Sequence, residues 1–352
     1  MRILIDAYWW IDGPPSGRNV VQSLVTAWAS EFPDDDLVMS VHPDATRGEL
    51  EAVLPLPPGV ELAPVPRWAA KFHGVGAMAS GRSGGPFDAT LTQNFASQRR
   101  SRGVSAVFVQ DAIFVEHPEW FTRPERLYLS LIRPSVRAAD IVLTSSHSEA
   151  RRIGRLWPET ADRIRTVGLS VPVALATSVA KDPGLPRPGR PFMLAVGRFN
   201  ARKNLRRLVE AYAASSTSET HDLVLVGAVD GRTDEIRAHT GVVVLASASD
   251  ANLRWLYENA AALLFPSMEE GFGLPLVEAR HFGLPVAASD IPVFRELGMA
   301  AVYFDPRSPE SMREAMGRIV AVDPTSSSDP DPWSSVVRRI RQAITESRTP
   351  RR

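Results

Sequence analysis

The sequence predicts an α/β protein made of two Rossmann-like domains facing one another across a cleft. Short apolar runs alternate with loops and amphipathic stretches, the pattern of a mostly parallel sheet covered by helices. The alternation stops at ALATSVAKDPGLPRPGRP, residues 174–191, a polar segment broken by prolines, and then starts again. The chain has 352 residues, more than one core usually organises. The expected division is an N-terminal Rossmann-like domain over 1–175, a linker over 176–190, a second domain over 191–333 and a terminal helix over 334–352.

In chain order, RILID at 2–6 is a strand ending in Asp6. NVVQSLVTAWASEF follows as a helix with Val20, Leu24, Ala27 and Trp28 on one stripe. Further strands are expected at 37–41, 88–92, 105–109 and 141–144, with a helix beginning near Ser146. The second half opens on PFMLAVG at 191–197 and an amphipathic helix at 204–215, whose inner face is Leu205, Leu208, Val209 and Tyr212. Strands at 222–227, 241–245, 261–267, 285–290 and 301–305 complete it. Residues 42–86 and 323–332 are irregular, and the first reads either as a loop over an acceptor or as a variable surface excursion.

Composition removes several function classes. Formal net charge is +0, so no global field gathers nucleic acid or an anionic membrane. With no cysteine, disulfides, thiolate metal sites and cysteine nucleophiles are excluded. No run approaches the ~20 apolar residues that cross a bilayer, and the first residues lack a secretion signal, so a cytoplasmic protein is expected. His117 and His147 have no metal-ligand spacing, His281 reads as packing near the end of the 275–282 helix, and Asp34–Asp36 reads as a surface turn after Pro33.

VGRFNARKN, residues 196–204, leaves a strand and opens a helix. Gly197 permits a tight exit, Arg198 offers a planar fork of donors and Lys203 adds a second charge, a combination that suits a diphosphate. The alternative is a basic loop in which Asn204 caps its helix. FPSMEEGFGLPLVEA, residues 265–279, sets Glu270 on a glycine-rich turn and Glu278 in the helix that follows. Carboxylates accept several hydroxyls at once, and small residues let backbone donors approach a sugar. Solvated glutamates at a helix start are the competing reading. Neither GxGxxG nor GxxxxGK[ST] occurs here, which argues against a nicotinamide enzyme or a nucleoside triphosphatase.

These segments, with VQDAIFVEHPEWF, SSHSEARRI, AVYFDP and DPWSSVVRRIRQAI, resemble the retaining glycosyltransferases of family four, most closely bacterial mannosyltransferase-type members. The resemblance covers most of the chain outside 42–86 and implies the GT-B-type architecture, with the terminal helix returning toward the first domain. It implies that Arg198 and Lys203 contact a donor diphosphate. Glu270 would hold sugar hydroxyls beside the backbone of Gly271, Phe272, Gly273 and Leu274, and Glu278 the nucleotide ribose. Gly17 and Arg18 would fall on the acceptor side, where the family's repeated-glycine loop is here Pro-Ser-Gly. Many members of the resembling family carry His-Asp where this chain has Gln110–Asp111, and glutamine cannot become cationic. Asp111 would orient Gln110 or reach the acceptor; otherwise it caps its loop.

The implied reaction is transfer of a hexose, mannose in the nearest resemblance, to an acceptor hydroxyl by a front-face retaining mechanism without an essential divalent metal. Arg198, Lys203, Glu270 and Gln110 are its expected catalytic set. A sugar phosphorylase, a nucleotide-sugar hydrolase and a noncatalytic nucleotide-sugar binder are the other readings. The acceptor classes are a carbohydrate, a lipid-linked glycan or a small molecule. Trp9, Trp10, Trp68 and Phe72 read as acceptor surface or as packing. Arg67, Lys71, Arg99, Arg100 and Arg102 offer a basic surface for peripheral membrane contact.

Overall fold

The computed structural model describes residues 1–65, 87–96, 103–229, 239–324, 326 and 331–348. The chain divides into two compact units. The first comprises Met1–Ala112, Leu127–Ala174 and Asp331–Arg352; the second comprises Ile113–Arg126 and Leu175–Pro330.

The first unit is built on strands β1 (Arg2–Asp6), β2 (Asp36–Val41), β3 (Glu61–Pro64), β4 (Ala89–Gln93), β5 (Val104–Val109), β6 (Ile141–Thr144) and β7 (Ile164–Thr166). Their order is β3-β2-β1-β4-β5-β6-β7 and every pairing is parallel. Central strands covered on both faces must be apolar at successive positions, which is why Ile3, Leu4 and Ile5 are all buried. The Pro15–Glu31 helix packs against the terminal Trp333–Arg348 helix. Asp35 joins them, accepting from Trp28 Nε1 at 3.1 Å and from Arg341 Nε at 2.9 Å. The side chain of Asp35 is therefore buried between two helices, where the sequence suggested a surface turn.

The second unit carries β8 (Phe192–Val196), β9 (Asp222–Val226), β10 (Val242–Leu245), β11 (Ala262–Phe265), β12 (Val286–Ser289) and β13 (Val302–Phe304). Their order is β10-β9-β8-β11-β12-β13, again all parallel. Leu208, Val209 and Tyr212 of the Leu205–Ala213 helix pack with Leu225, Leu264 and Met316 in one core cluster. The apolar stripe read from the sequence is the face that this helix buries.

In both sheets the chain builds outward from the first strand on one side and then crosses to its other side. Strand order thus reverses between β1 and β4 and between β8 and β11. Loops leaving the carboxyl ends of strands diverge at such a switch point, and ligands of open α/β sheets bind there. Two short edge strands, β3 and β7, and the Arg47–Val53 helix add to the elements expected from sequence. That helix has a capping box in which Thr46 and Glu49 satisfy one another's backbone amides.

Candidate active site

The second unit's switch point is built by the loops after β8 and β11. Gly197 leaves β8 at φ +151°, and a Cβ on it would stand 3.1 Å from Lys203 Cε. Gly227 leaves β9 at φ +149° with its α-carbon against the Gly197 carbonyl; an added Cβ would lie 2.1 Å from that oxygen. Asn200 then caps a single 3-10 turn, Ala201–Lys203. Asn204 follows in the left-handed region at φ +57°. Its Nδ2 donates to the carbonyls of Pro266, at 3.1 Å, and Pro306, at 2.7 Å. Asn204 is thus a buried tie between three loops and makes no side-chain cap to its helix, which begins at Leu205.

This geometry brings Lys203 onto Glu270. Lys203 Nζ donates to Glu270 Oε1 at 2.5 Å and lies 5.0 Å over the Phe265 ring. Ser267 Oγ donates to the same carboxyl oxygen at 2.7 Å, and Arg202 Nη1 donates to Oε2. Burial alone would raise the Glu270 pKa, but Arg202 and Lys203 overcome it and hold the group at about 2. Burial lowers the Lys203 pKa; Arg202 and Arg198 push the same way, and Glu270 opposes them. Arg198, Arg202 and Lys203 therefore share one electrostatic neighbourhood, in which Arg202 and Lys203 both pair with the Glu270 carboxylate.

After β11 the chain runs through Gly271 and Phe272 to Gly273, which stands at φ +116° ahead of the Leu274–His281 helix. A Cβ there would lie 2.8 Å from Phe294 Cε1, so both backbone conformation and close packing require glycine. Glu278 is buried on this helix at 5% exposure and accepts a 2.6 Å hydrogen bond from Tyr257 Oη. The Glu278 pKa rises to about 7: burial dominates and Asp250 adds to it, against Tyr257 and Lys203. Tyr257 is itself pushed well above its ordinary value by burial and by Glu278.

The Glu278 shift has a signed consequence for stability. Its folded pKa lies above the unfolded value, so its contribution is fully present below about 4.5 and is lost as pH rises through about 7. Glu278→Gln is expected to remove this loss. Urea unfolding between pH 4.5 and pH 8 should show the variant gaining on the wild type by on the order of 3 kcal/mol. Parallel pH profiles would show that Glu278 does not titrate in this window.

In the first unit, Gln110 Nε2 donates to Gln93 Oε1 at 2.8 Å, and Gln93 Nε2 donates to the Gly17 carbonyl at 3.1 Å. The backbone amide of Gln110 is held by Asn94 Oδ1 at 3.0 Å. Gly17 lies inside the Pro15–Glu31 helix with Arg18 next to it, and its missing Cβ makes room for the Trp9 ring, whose Cε3 would be 2.3 Å away. Trp10 is fully buried and donates to the Leu50 carbonyl, so it packs the core and offers no acceptor surface. Asp111 lies in the field of Glu149, a buried carboxylate paired with Arg152 and accepting the Ala112 amide at 2.8 Å. Burial pushes Glu149 up to about 7, with Arg152 lowering it and Asp111 raising it. Asp6, at the end of β1, is pushed up to about 7 by burial. Arg67, Trp68, Lys71, Phe72, Arg99, Arg100 and Arg102 lie outside the described residues.

The structure thus joins Lys203 to Glu270 and sets Glu278 on Tyr257, while Gly17 and Gln110 meet through Gln93. Sequence reading missed Arg202, Ser267, Tyr257, Gln93 and Glu149. Only Arg202 had an available signal, as a second guanidinium next to Lys203.

The chain is similar in fold to solved structures. The catalytic domain of starch synthase IV from Arabidopsis thaliana, bound to ADP and acarbose, matches with a TM-score of 0.67 at 11% identity, covering 98% of this chain and 99% of that one. Anabaena HepE in complex with UDP and glucose matches with a TM-score of 0.63 at 15% identity, covering 99% and 97%. The fold is GT-B. Within this GT-B chain, residues 179–327 match the family model described as glycosyl transferases group 1, a segment that contains Arg198, Lys203, Glu270 and Glu278. The O-antigen chain mannosyltransferase RfbU of Salmonella typhimurium is 29% identical over 201 residues, 54% of this chain and 53% of the relative. The O-antigen chain mannosyltransferase B of Escherichia coli is 28% identical over 236 residues, 62% of this chain and 61% of the relative. The chain spans less than two thirds of the length of both of these mannosyltransferases. Among the described residues no group of three or more His, Asp or Glu side chains is placed to hold a metal ion, and no helix is long and apolar enough to cross a membrane.

Proposed function

We propose that this GT-B protein is a retaining glycosyltransferase that moves a hexose, mannose by its similarity to the O-antigen enzymes, from a nucleotide-diphosphate sugar to an acceptor hydroxyl. The observation that carries this reading is the convergence of Arg198, Arg202 and Lys203 with Glu270 at the β8/β11 switch point. Strand ends at such a crossover form the ligand crevice of open α/β sheets, and here the crevice is cationic and backed by two positive-φ glycines. Bound UDP and ADP in HepE and starch synthase IV support a nucleotide diphosphate as the ligand class.

In the proposed front-face reaction the acceptor oxygen attacks the anomeric carbon on the face that the diphosphate leaves. The bond from that carbon to the β-phosphate oxygen breaks, and this oxygen takes the acceptor proton. Arg198 and Lys203 stabilise the charge gathering on the diphosphate, a role that a metal ion plays elsewhere. Glu270 orients sugar hydroxyls beside Gly271–Leu274, and Glu278 takes the ribose hydroxyls. Gln110, fixed by Gln93 and Asn94, hydrogen-bonds without carrying charge, and Gly17, Arg18 and Asp111 belong to the acceptor side. The acceptor is a carbohydrate, a lipid-linked glycan or a small molecule.

GDP-, UDP-, ADP- and dTDP-hexoses, each offered with these acceptor classes in EDTA, test the reading by mass spectrometry and product anomer analysis. The expected result is an α-linked product from an α-linked donor. Donor binding with no transfer to any acceptor would favour a noncatalytic sugar-nucleotide binder. Phosphate-dependent turnover or acceptor-free cleavage would favour a phosphorylase or a hydrolase.

A further inference from the structure

Lys203 serves two anions. Its Nζ sits on Glu270 Oε1, yet the proposed function, on which this inference rests, requires the same ammonium for a diphosphate. Glu270 is only 7% exposed, and removing one partner from a buried ion pair strands the other charge unless a second cation stays behind.

Arg202 is placed to be that cation. It is 9% exposed, and its Nη1 donates both to Glu270 Oε2 and, at 3.0 Å, to the Glu269 carbonyl. Its own carbonyl accepts the Met268 amide at 2.9 Å. Side chain and backbone of Arg202 are thus both fastened to the loop that carries Glu270, whereas Lys203 reaches Glu270 by its ammonium alone. The two cations also bind different oxygens of the carboxylate. Lys203 can therefore depart without unpairing it. With Arg202 neutralising Glu270, the positive charge of Lys203 is left to answer a diphosphate.

We propose that Arg202 is a positioning residue, the standing counter-ion of Glu270, which allows Lys203 to pass from Glu270 to an incoming diphosphate and thereby opens Glu270 Oε1 to a sugar hydroxyl. Diphosphate recognition and sugar recognition are coupled through one shared lysine. Arg202 acts through Glu270 and does not itself touch the phosphates.

Calorimetric titration of GDP, UDP and ADP, each alone and as its hexose ester, tests this on four proteins: wild type, Arg202→Met, Glu270→Gln and the double variant. In Arg202→Met, Glu270 keeps the Ser267 hydroxyl but, among the described residues, Lys203 is the one cation still paired with it, so affinity for the bare nucleoside diphosphate should fall about tenfold or more. In the double variant there is no carboxylate to strand, and the affinity should return to within about threefold of Glu270→Gln. Glu270→Gln alone should keep its affinity for the bare diphosphate and lose the wild type's added affinity for the sugar ester. A merely structural Arg202 would not be rescued by neutralising its neighbour. An undiminished Arg202→Met, or a double variant as weak as Arg202→Met, overturns the proposal; the second outcome would put Arg202 on the phosphate. Should Arg202→Met fail to fold, the comparison of Glu270→Gln with the double variant decides alone: equal affinities are expected, and a tenfold gap refutes it. A wild type that binds none of the three nucleotides would sink the proposed function itself, whereas binding without rescue sinks only the role given to Arg202.

Discussion

Replacing Lys203 with methionine is expected to lower kcat/KM about a thousandfold across all acceptors while leaving the protein folded. Methionine retains the apolar stem that lies against Gly197, so the packing of the β8 exit survives. The carboxylate of Glu270 keeps Arg202 and Ser267 as partners. What disappears is the ammonium, with its share of the charge developing on the departing diphosphate. Arginine is not expected to substitute, because the lysine stem already lies close to Gly197 and a larger guanidinium would need space there. Steady-state kinetics over a donor series, with circular dichroism as the folding control, reads the outcome. Turnover within a few-fold of wild type would remove Lys203 from the chemistry.

The second large effect is on stability. Gly227→Ala should cost about 3–5 kcal/mol, because its new Cβ would stand 2.1 Å from a backbone oxygen that cannot swing away. The Gly197 amide donates to the Val226 carbonyl at 2.9 Å and the Phe199 amide to the Ala228 carbonyl at 2.7 Å, so separating the two strand exits also breaks this ladder. Strain from φ +149° adds to the clash. Gly298 provides the control: it also has positive φ, at +63°, but an added Cβ there meets nothing within 4 Å. Gly298→Ala should cost only about 1 kcal/mol. Urea unfolding of both variants separates clash from strain; equal costs would show that the β8/β9 exits yield easily.

The strands at β1 and β6 matched their apolar runs residue for residue, since a buried parallel strand is written as an uninterrupted hydrophobic segment. β3 and β7 did not stand out: one is four residues ending in proline, the other three residues with none fully buried, so neither has a pattern long enough to read. In the site, Gly197, Lys203, Glu270 and Glu278 were visible because charge and glycine lie close together in sequence. Their pairing was not. Arg202 and Lys203 meet Glu270 across 68 and 67 positions, and that approach follows from β8 lying next to β11. Tyr257 reaches Glu278 from a separate helix, 21 positions away, with nothing local to announce it. Gln110 drew notice as a departure from a family pattern; its anchorage to Gln93 and Gly17 depends on β4 and β5 being neighbours.

The most direct test is a crystal structure with a nucleotide-diphosphate hexose bound, grown in the presence of EDTA. The expected result places the diphosphate oxygens within hydrogen-bonding distance of Arg198 and Lys203, with Lys203 moved off Glu270 and Arg202 still on it. A diphosphate bound away from the Gly197–Lys203 loop, with Lys203 still seated on Glu270, would contradict the central claim.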